Sequence, residues 1–251
     1  MSGIISKKMI TDGLVLYLDA ANTKSFVSGS TVWNDLSKSS EKGIIYNAPT
    51  FSSSNNGILL FDGTNEYVDF GTTPTNTIRG GSQFTISYWV KKIASDRDII
   101  VGSWKHSVRQ GFFLEWYTDG NIYFGNSAGG ANNNVAPLTW TNGWYQIVGV
   151  FDGSQATNAT KGKIYVNGQL LNQSNSGLNT TVVTSTLTKF YVGFVENYDI
   201  YSNAYFSTVL LYNRALSATE ILQNYNAIKK RFGLWYKITI QENSWYLLYQ
   251  N

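Results

Sequence analysis

The chain has 251 residues, a net charge of +3 and only 14% charged residues. Its longest basic run is 229–231, so it lacks the positive surface that binding to nucleic acid or anionic lipid requires. The absence of cysteine excludes disulfides and thiolate metal sites.

Residues 1–10 are interpreted as an N-terminal arm. They include lysines but lack the apolar core and small-residue cleavage site of a signal peptide. No later stretch approaches the roughly 18 apolar residues of a membrane-spanning helix. We therefore expect neither a cleaved export signal nor membrane insertion.

Short runs of β-branched, aromatic and apolar residues, separated by clusters of Ser, Asn and Gly, predict strands along most of the chain. The clearest is 83–92, where Phe84, Ile86, Tyr88 and Val90 alternate with a second set of residues on the opposite face. The predicted strands are, in chain order, 13–19, 44–46, 58–61, 67–70, 83–92, 99–104, 111–117, 121–124, 144–151, 163–166, 189–195 and 204–212.

Turn signals stand at Asp62-Gly63, Asp119-Gly120 and Asn167-Gly168. The Asn-, Gly- and Thr-rich stretches are expected to be surface loops: 125–142, 153–161 and 169–186. Strands do not alternate with helices, which argues against a parallel α/β sheet. The sequence therefore predicts an all-β fold of two packed antiparallel sheets.

One helix is predicted over 217–231. Ser217 and Glu220 form a capping box, and Leu216 can pack on Ile221 across it. Gly233 is suited to the C-terminal cap, after three basic residues that favour the negative end of the helix dipole. The residues assigned to its apolar face are Ile221, Leu222, Tyr225 and Ile228. Such an amphipathic helix is expected to pack on the sheets.

The segment 234–251 follows this helix and is strongly aromatic, with predicted strands 234–240 and 244–249 forming a hairpin. An isolated hairpin is marginally stable in water, so it must dock on its own domain or on another chain. We predict an assembly element, and the residues assigned to its interface are Trp235, Trp245, Tyr246, Leu247, Leu248 and Tyr249. The alternative is that the hairpin covers its own sandwich.

A polar and aromatic face is the main candidate for binding. Trp89 shares a face of its strand with Thr85, Ser87 and Lys91, and other strands carry side chains in matching phase. Aromatic rings beside hydrogen-bonding groups suit sugars in a shallow groove. The candidate carbohydrate-binding residues are Trp89, Trp104, His106, Glu115, Tyr117, Tyr123, Tyr165 and Tyr191. The alternatives are that a loop, the helix or the hairpin covers this face, and that His106 is an ordinary surface histidine.

Several sequence blocks, in order, resemble a known family. They begin with GLVLYLDAANTKSF at 13–26, VWNDLS at 32–37 and ILLFDGTNEYVDFG at 58–71. They continue with FTISYWVK at 84–91, WYQIVGVFDG at 144–153, KIYVNGQ at 163–169 and LLYNRALSATEI at 210–221. These blocks are similar to the laminin-G-like jelly rolls of the concanavalin A-like superfamily, particularly those of phage virion proteins. One departure is 204–206, where the family tends to have a glycine turn.

This resemblance implies a jelly-roll β-sandwich over 11–233 with a C-terminal helix and an added hairpin. It also implies a non-enzymatic virion protein that binds host-surface glycan or builds the particle as a fibre, appendage or decoration element. Other virion proteins and further copies of the chain are the expected partners. The alternatives are a secreted extracellular adhesin and a glycoside hydrolase or lyase on the same fold.

Catalysis is disfavoured because no Glu-x-Asp-x-x-Glu pattern of paired carboxylates occurs. A single histidine also excludes a multi-histidine zinc site. The family often carries calcium, and Asp62 and Asp69 are the candidate ligands. Their positions in a turn and at a strand edge explain both residues without a metal.

Overall fold

A computed structural model describes residues 8–94, 98–129, 133–139, 141–175, 177–184 and 188–234. Over these ranges the strands are β1 (Leu14–Asp19), β2 (Val32–Asn34), β3 (Lys42–Tyr46), β4 (Thr50–Ser52), β5 (Ile58–Asp62), β6 (Tyr67–Asp69), β7 (Gln83–Lys92), β8 (Ile99–Lys105), β9 (Gln110–Trp116), β10 (Asn121–Ala128), β11 (Asn133–Pro137), β12 (Tyr145–Asp152), β13 (Gly162–Val166), β14 (Gln169–Leu170), β15 (Ser174–Asn175), β16 (Tyr191–Val192), β17 (Phe194–Val195), β18 (Ile200–Tyr201) and β19 (Asn203–Tyr212). The α-helices are α1 (Thr73–Ile78), α2 (Asn158–Lys161) and α3 (Ala218–Ile228).

Within the described ranges, the strands build two large antiparallel sheets. Sheet 1 has the order β14-β13-β12-β7-β19-β5-β4, and β1 also pairs with β19. Sheet 2 has the order β15-β11-β10-β9-β8-β16-β6-β3-β2. The predicted all-β, two-sheet jelly-roll class is therefore confirmed. No helix in the described part of the chain has the length and apolar character of a membrane span.

The main core lies between the two sheets and follows strand alternation. On β7 the side chains of Phe84, Ile86, Tyr88 and Val90 all enter it, as their period-2 spacing predicts. In sheet 2, Phe112, Leu114 and Trp116 of β9 enter the same core with the same spacing. Each sheet therefore has one inner face in this core and one outer face.

Helix α3 covers part of the outer face of sheet 1. Ser217 caps it: its hydroxyl accepts from the Glu220 N–H, and the Glu220 carboxylate accepts from the Ser217 N–H at 2.8 Å. Leu216 and Ile221 share one buried cluster with sheet 1, as the staple predicted. Leu222 lies at the margin of the apolar face: it is 40% exposed, with its side chain beside Gly168 in the β13–β14 turn.

The α-helix is shorter than predicted, and its last turn has the tighter 3-10 geometry. The α-helix ends at Ile228, and a 3-10 turn, Lys229–Phe232, leads to Gly233. Gly233 has φ +71°, the left-handed conformation expected of the C-terminal cap.

Two predicted loops contain strands. The stretch 125–142 continues β10 to Ala128 and then forms β11, which pairs antiparallel with β10. The stretch 169–186 includes the short strands β14 and β15. Their composition gave no strand signal, because β14 and β15 are two-residue edge strands and β11 begins with two asparagines. Helix α1 was also missed, and so was helix α2, which lies in the predicted loop 153–161.

The predicted strand 189–195 is interrupted. Gly193 has φ +84°, and this left-handed residue separates β16, in sheet 2, from β17. Strands β17 and β18 form a separate two-stranded hairpin. Val195 of this hairpin packs with Ile100 and Phe113, which lie on the outer face of sheet 2. The hairpin therefore crosses that outer face. The predicted C-terminal hairpin, 234–251, lies outside the described residues except for Leu234.

Candidate functional site

The eight predicted carbohydrate-binding residues do not share one face. Trp89 and Tyr165 belong to sheet 1, whereas the other six lie on sheet 2 or directly after one of its strands. Trp89 is 0% exposed, and its ring stacks on Tyr225 and on Phe232, with centroid separations of 5.5 and 4.7 Å. The expectation of one shared face is therefore wrong, because the eight residues lie on two different sheets. For Trp89 the alternative is confirmed, since the C-terminal helical segment covers it.

Tyr165 is also buried, in the cluster beneath helix α3. It lines a groove of about 390 Å³ between β12, β13 and the start of α3. Burial raises the pKa of its phenol. Its ring packs against apolar neighbours and offers little surface to a ligand.

The structure brings Glu115, Tyr117 and Tyr123 together at one end of the outer face of sheet 2. Tyr123 stands opposite Glu115 in the β10–β9 ladder, and the rings of Tyr117 and Tyr123 meet edge to face at 5.7 Å. Tyr117 is 38% exposed. We call Asp98, Glu115, Tyr117, Asp119 and Tyr123 the tyrosine–carboxylate patch.

The β9–β10 turn holds this patch in place. The Asp119 carboxylate accepts from the Asn121 N–H at 2.8 Å and from the Tyr123 hydroxyl at 2.7 Å. Gly120, with φ +83°, completes the predicted Asp-Gly turn. Burial alone would raise the pKa of Asp119, but the hydrogen bonds from Tyr123 and Asn121 outweigh it and lower this pKa. Burial first, and then the bond to Asp119, raises the pKa of Tyr123 to about 12. Asp119 is therefore an ionised, oriented acceptor at neutral pH.

Glu115 has a different protonation state. Burial, followed by the charges of Asp98 and Asp119, raises its pKa to about 8, against the opposing effect of Lys92. Its carboxyl group is therefore largely neutral at pH 7 and can donate a hydrogen bond as well as accept one. Asp98 accepts from the Thr118 N–H at 3.0 Å, and Lys92 donates to the Tyr117 carbonyl at 3.2 Å. Neither residue was predicted from the sequence, because only the tertiary fold brings β7 and the start of β8 to this turn.

The remaining predicted residues lie under or beside the hairpin. Trp104 is partly buried and packs against Phe113, with 4.8 Å between ring centroids. His106 lies in the 3-10 turn after β8 and stacks on Tyr198 at 3.9 Å. Tyr198 is 53% exposed and was not singled out from the sequence.

Tyr191 is buried and packs edge to face on Phe194 at the base of the hairpin, among a second set of tyrosines. Tyr46 and Tyr67 are nearly parallel at 4.5 Å, and Tyr67 contacts Tyr191 edge to face at 6.0 Å. Nearby, Lys189 and Asp69 form an ion pair of 2.7 Å. We call Tyr46, Tyr67, Asp69, Lys189 and Tyr191 the stacked tyrosine patch.

The two candidate calcium ligands do not fit a shared calcium site. Asp69 is bound to the Lys189 ammonium and to the Gly71 N–H, at 2.7 Å each. Asp62 lies at the end of a strand of sheet 1, where its carboxylate accepts from the Thr64 N–H. The described residues contain no group of three His, Cys, Asp or Glu side chains placed to hold a metal ion.

Comparisons with known proteins agree with this architecture. The model of a laminin-G-like family, described as the concanavalin A-like lectin/glucanases superfamily, matches residues 62–222. No curated protein sequence matches the chain significantly.

Solved structures share the fold at low sequence identity. A Trypanosoma rangeli sialidase in complex with the inhibitor DANA has a TM-score of 0.61 at 18% identity, over 88% of this chain and 35% of the sialidase. The botulinum neurotoxin serotype G binding domain has a TM-score of 0.62 at 16% identity, over 84% of this chain and 50% of the neurotoxin domain. The receptor-binding domain of a botulinum neurotoxin C/D mosaic serotype has a TM-score of 0.64 at 13% identity, over 86% of this chain and 51% of that domain. The chain thus spans about a third to a half of these proteins.

Proposed function

The chain belongs to the concanavalin A-like lectin/glucanases superfamily, and we propose that it is a non-enzymatic virion protein that binds host-surface carbohydrate through the outer face of sheet 2. The observation that carries the proposal is the contact between the exposed ring of Tyr117 and Tyr123, beside the oriented carboxylate of Asp119. The ligand class is a saccharide, held in the tyrosine–carboxylate patch.

The chemistry of the patch suits a sugar. Aromatic rings pack against the apolar faces of sugars, and carboxyl groups hydrogen-bond hydroxyls. Asp119 supplies an acceptor, and the largely neutral Glu115 supplies both a donor and an acceptor. The turn and the β9–β10 ladder hold these groups before a ligand arrives, which lowers the entropic cost of binding.

The neighbours' functions are compatible with this role. The fold occurs in a neurotoxin receptor-binding domain and in a sialidase that is known in complex with sialic acid. Their similarity to this chain establishes the fold, and the saccharide-binding role proposed here depends on the residues of the patch.

The virion location rests on the ordered sequence blocks that resemble phage modules, such as ILLFDGTNEYVDFG at 58–71. A fibre, appendage or capsid-decoration role is part of the same proposal. Mass spectrometry of purified phage particles, followed by antibody labelling in electron micrographs, tests it. Peptides of this chain in the particles are expected, and their absence from intact infectious particles would contradict the virion role.

The carbohydrate-binding role is tested with a printed glycan array and with titration of the glycans that bind. We expect Tyr117→Ala to weaken binding about tenfold or more, or ~1.4 kcal/mol. The matched control is Tyr46→Ala, because Tyr46 is 40% exposed on the same face but beyond the hairpin. Loss of binding with the control and not with Tyr117→Ala would move the site to the stacked tyrosine patch. An array without any bound glycan would contradict the function itself.

One observation favours the alternative of a glycoside hydrolase or lyase. Glu115, with its pKa of about 8, has Asp98 and Asp119 as charged neighbours. A protonated carboxyl group near an ionised one is the arrangement that glycosidases use for a general acid and its partner. Turnover of a polysaccharide that Glu115→Gln abolishes would establish this alternative in place of the binding role.

A further inference from the structure

We propose that the β17–β18 hairpin makes the tyrosine–carboxylate patch a site for the ends of glycan chains rather than for their interior. The inference rests on the carbohydrate-binding function proposed above. An open outer face from β11 to β3 would let a polysaccharide lie across sheet 2. The hairpin instead covers the middle of this face, where Ile100 is 2% and Phe113 7% exposed.

The hairpin is attached to the face along its length by side chains. At its base, Phe194 stacks on Tyr67 with 4.7 Å between centroids. In its middle, Val195 is 3% exposed in the cluster with Ile100 and Phe113. At its tip, Tyr198 stacks on His106.

Backbone contacts strengthen this attachment. Glu196 forms a bridge with Lys105, and its carbonyl accepts from the His106 N–H at 3.4 Å. The Ile100 N–H donates to the Ser202 hydroxyl at 3.1 Å, just after the hairpin. Because aromatic, apolar and backbone contacts all hold it, the hairpin is a fixed wall between the two patches.

The space left on the near side of this wall is short. The open surface runs from Glu115 on β9 to Tyr123 on β10 and Val135 on β11, which face one another in register. At roughly 4.8 Å between strands, these three strands span about 10 Å, enough for about two sugar rings. Tyr123 of the patch and Ile200 of the hairpin both pack on the cluster of Ile100, Phe113 and Val195, so the hairpin borders the patch.

The hairpin closes the β8 side of this space, so a glycan that crosses the strands leaves it on the opposite side. On the far side of β11 lies the edge strand β15, whose two residues are exposed and polar. A bound chain would therefore place its terminal one or two sugars against Tyr117 and Tyr123 and pass outward over β15. Beyond the hairpin, the stacked tyrosine patch would stay free of that chain.

The test uses the whole protein and linear gluco-, galacto- and manno-oligosaccharides of two and six residues, titrated by calorimetry. For the series that binds, we expect the disaccharide and hexasaccharide affinities to agree within about threefold. Tyr123→Ala, within the patch, is expected to weaken both equally. Tyr46→Ala is expected to change neither.

The outcomes separate this inference from the function on which it rests. A hexasaccharide that binds more than tenfold tighter than the disaccharide contradicts terminal recognition while leaving carbohydrate binding intact. The same holds if Tyr46→Ala weakens the hexasaccharide alone, because the chain then crosses the hairpin. Failure of every oligosaccharide to bind contradicts both the proposed function and this inference.

Discussion

The indole ring of Trp89 lies parallel to the phenol ring of Tyr225, with 5.5 Å between their centroids and 5° between their planes. Phe232 stacks on the same indole, and Trp144 stacks on Phe232 at 4.3 Å. These contacts cover the outer face of sheet 1 around Trp89. Trp89, on the predicted strand 83–92, therefore stabilises the packing of the C-terminal helical segment on the sheet. The site proposed here lies on the opposite sheet.

Trp89→Ala is predicted to lower the free energy of unfolding by about 3–5 kcal/mol, because it removes a fully buried ring between sheet and helix. Chemical denaturation measures the change. Tyr117→Ala, at an exposed position, is the matched aromatic control and should stay within about 1 kcal/mol of the parent. Equal destabilisation by the two variants would contradict the burial that separates them.

Ser217→Ala is predicted to destabilise the domain by about 0.5–2 kcal/mol without changing its fold, because the variant loses the acceptor for the Glu220 N–H. Thermal melting and circular dichroism measure the two effects. An unchanged melting temperature would argue against the observed helix start.

The pH dependence of stability should contain a contribution from Glu115. In the folded protein its pKa is about 8, whereas its ordinary value is 4.5, so the folded state holds the proton more tightly. The contribution of Glu115 is therefore fully present below pH 4.5 and is lost as the pH rises towards 8. Glu115→Gln, which stays neutral, should flatten the decline in stability between pH 5 and 8.

Denaturation at pH 5 and at pH 8 measures this change. Glu66 provides the control, because it lies elsewhere in the fold and also has a raised pKa. Burial, followed by the interaction with Asp62, raises that pKa to about 7. Glu66→Gln should remove its own separate part of the decline. A decline that Glu115→Gln leaves unaltered would mean that Glu115 is ionised in the folded protein throughout this range.

The protein is predicted to release no reducing ends or unsaturated products from a broad panel of polysaccharides. The reason is that the sequence lacks the paired-carboxylate pattern of glycosidases on this fold. Reducing-sugar and ultraviolet-absorbance assays measure the two kinds of product. Activity that survives purification and disappears in Glu115→Gln would refute the prediction.

Deletion of 234–251 is predicted to leave a folded domain that no longer oligomerises or enters virions. The deleted segment contains large aromatics of the kind that anchor interfaces, among them Trp235 and Trp245. Light scattering and incorporation into particles measure the two effects. Unfolding or aggregation of the shortened protein would instead show that the segment completes its own domain.

The sequence by itself determined those features that depend on local chemistry. Period-2 alternation in 83–92 placed four side chains in the core, and the Ser217–Glu220 spacing located the start of helix α3. The Asp119-Gly120 pair located the β9–β10 turn. Each of these signals lies within a few residues of the feature that it produces.

Only the tertiary structure decided which face is open. By alternation, Trp89 and Tyr123 both lie on the outer face of a sheet. Tyr225 and Phe232 cover Trp89, whereas Tyr123 forms part of the tyrosine–carboxylate patch. The break at Gly193, which sends a hairpin across sheet 2, also divided one predicted strand into two elements. Alternation assigns a side chain to a face, but its exposure depends on segments distant in sequence, and those contacts leave no local signal.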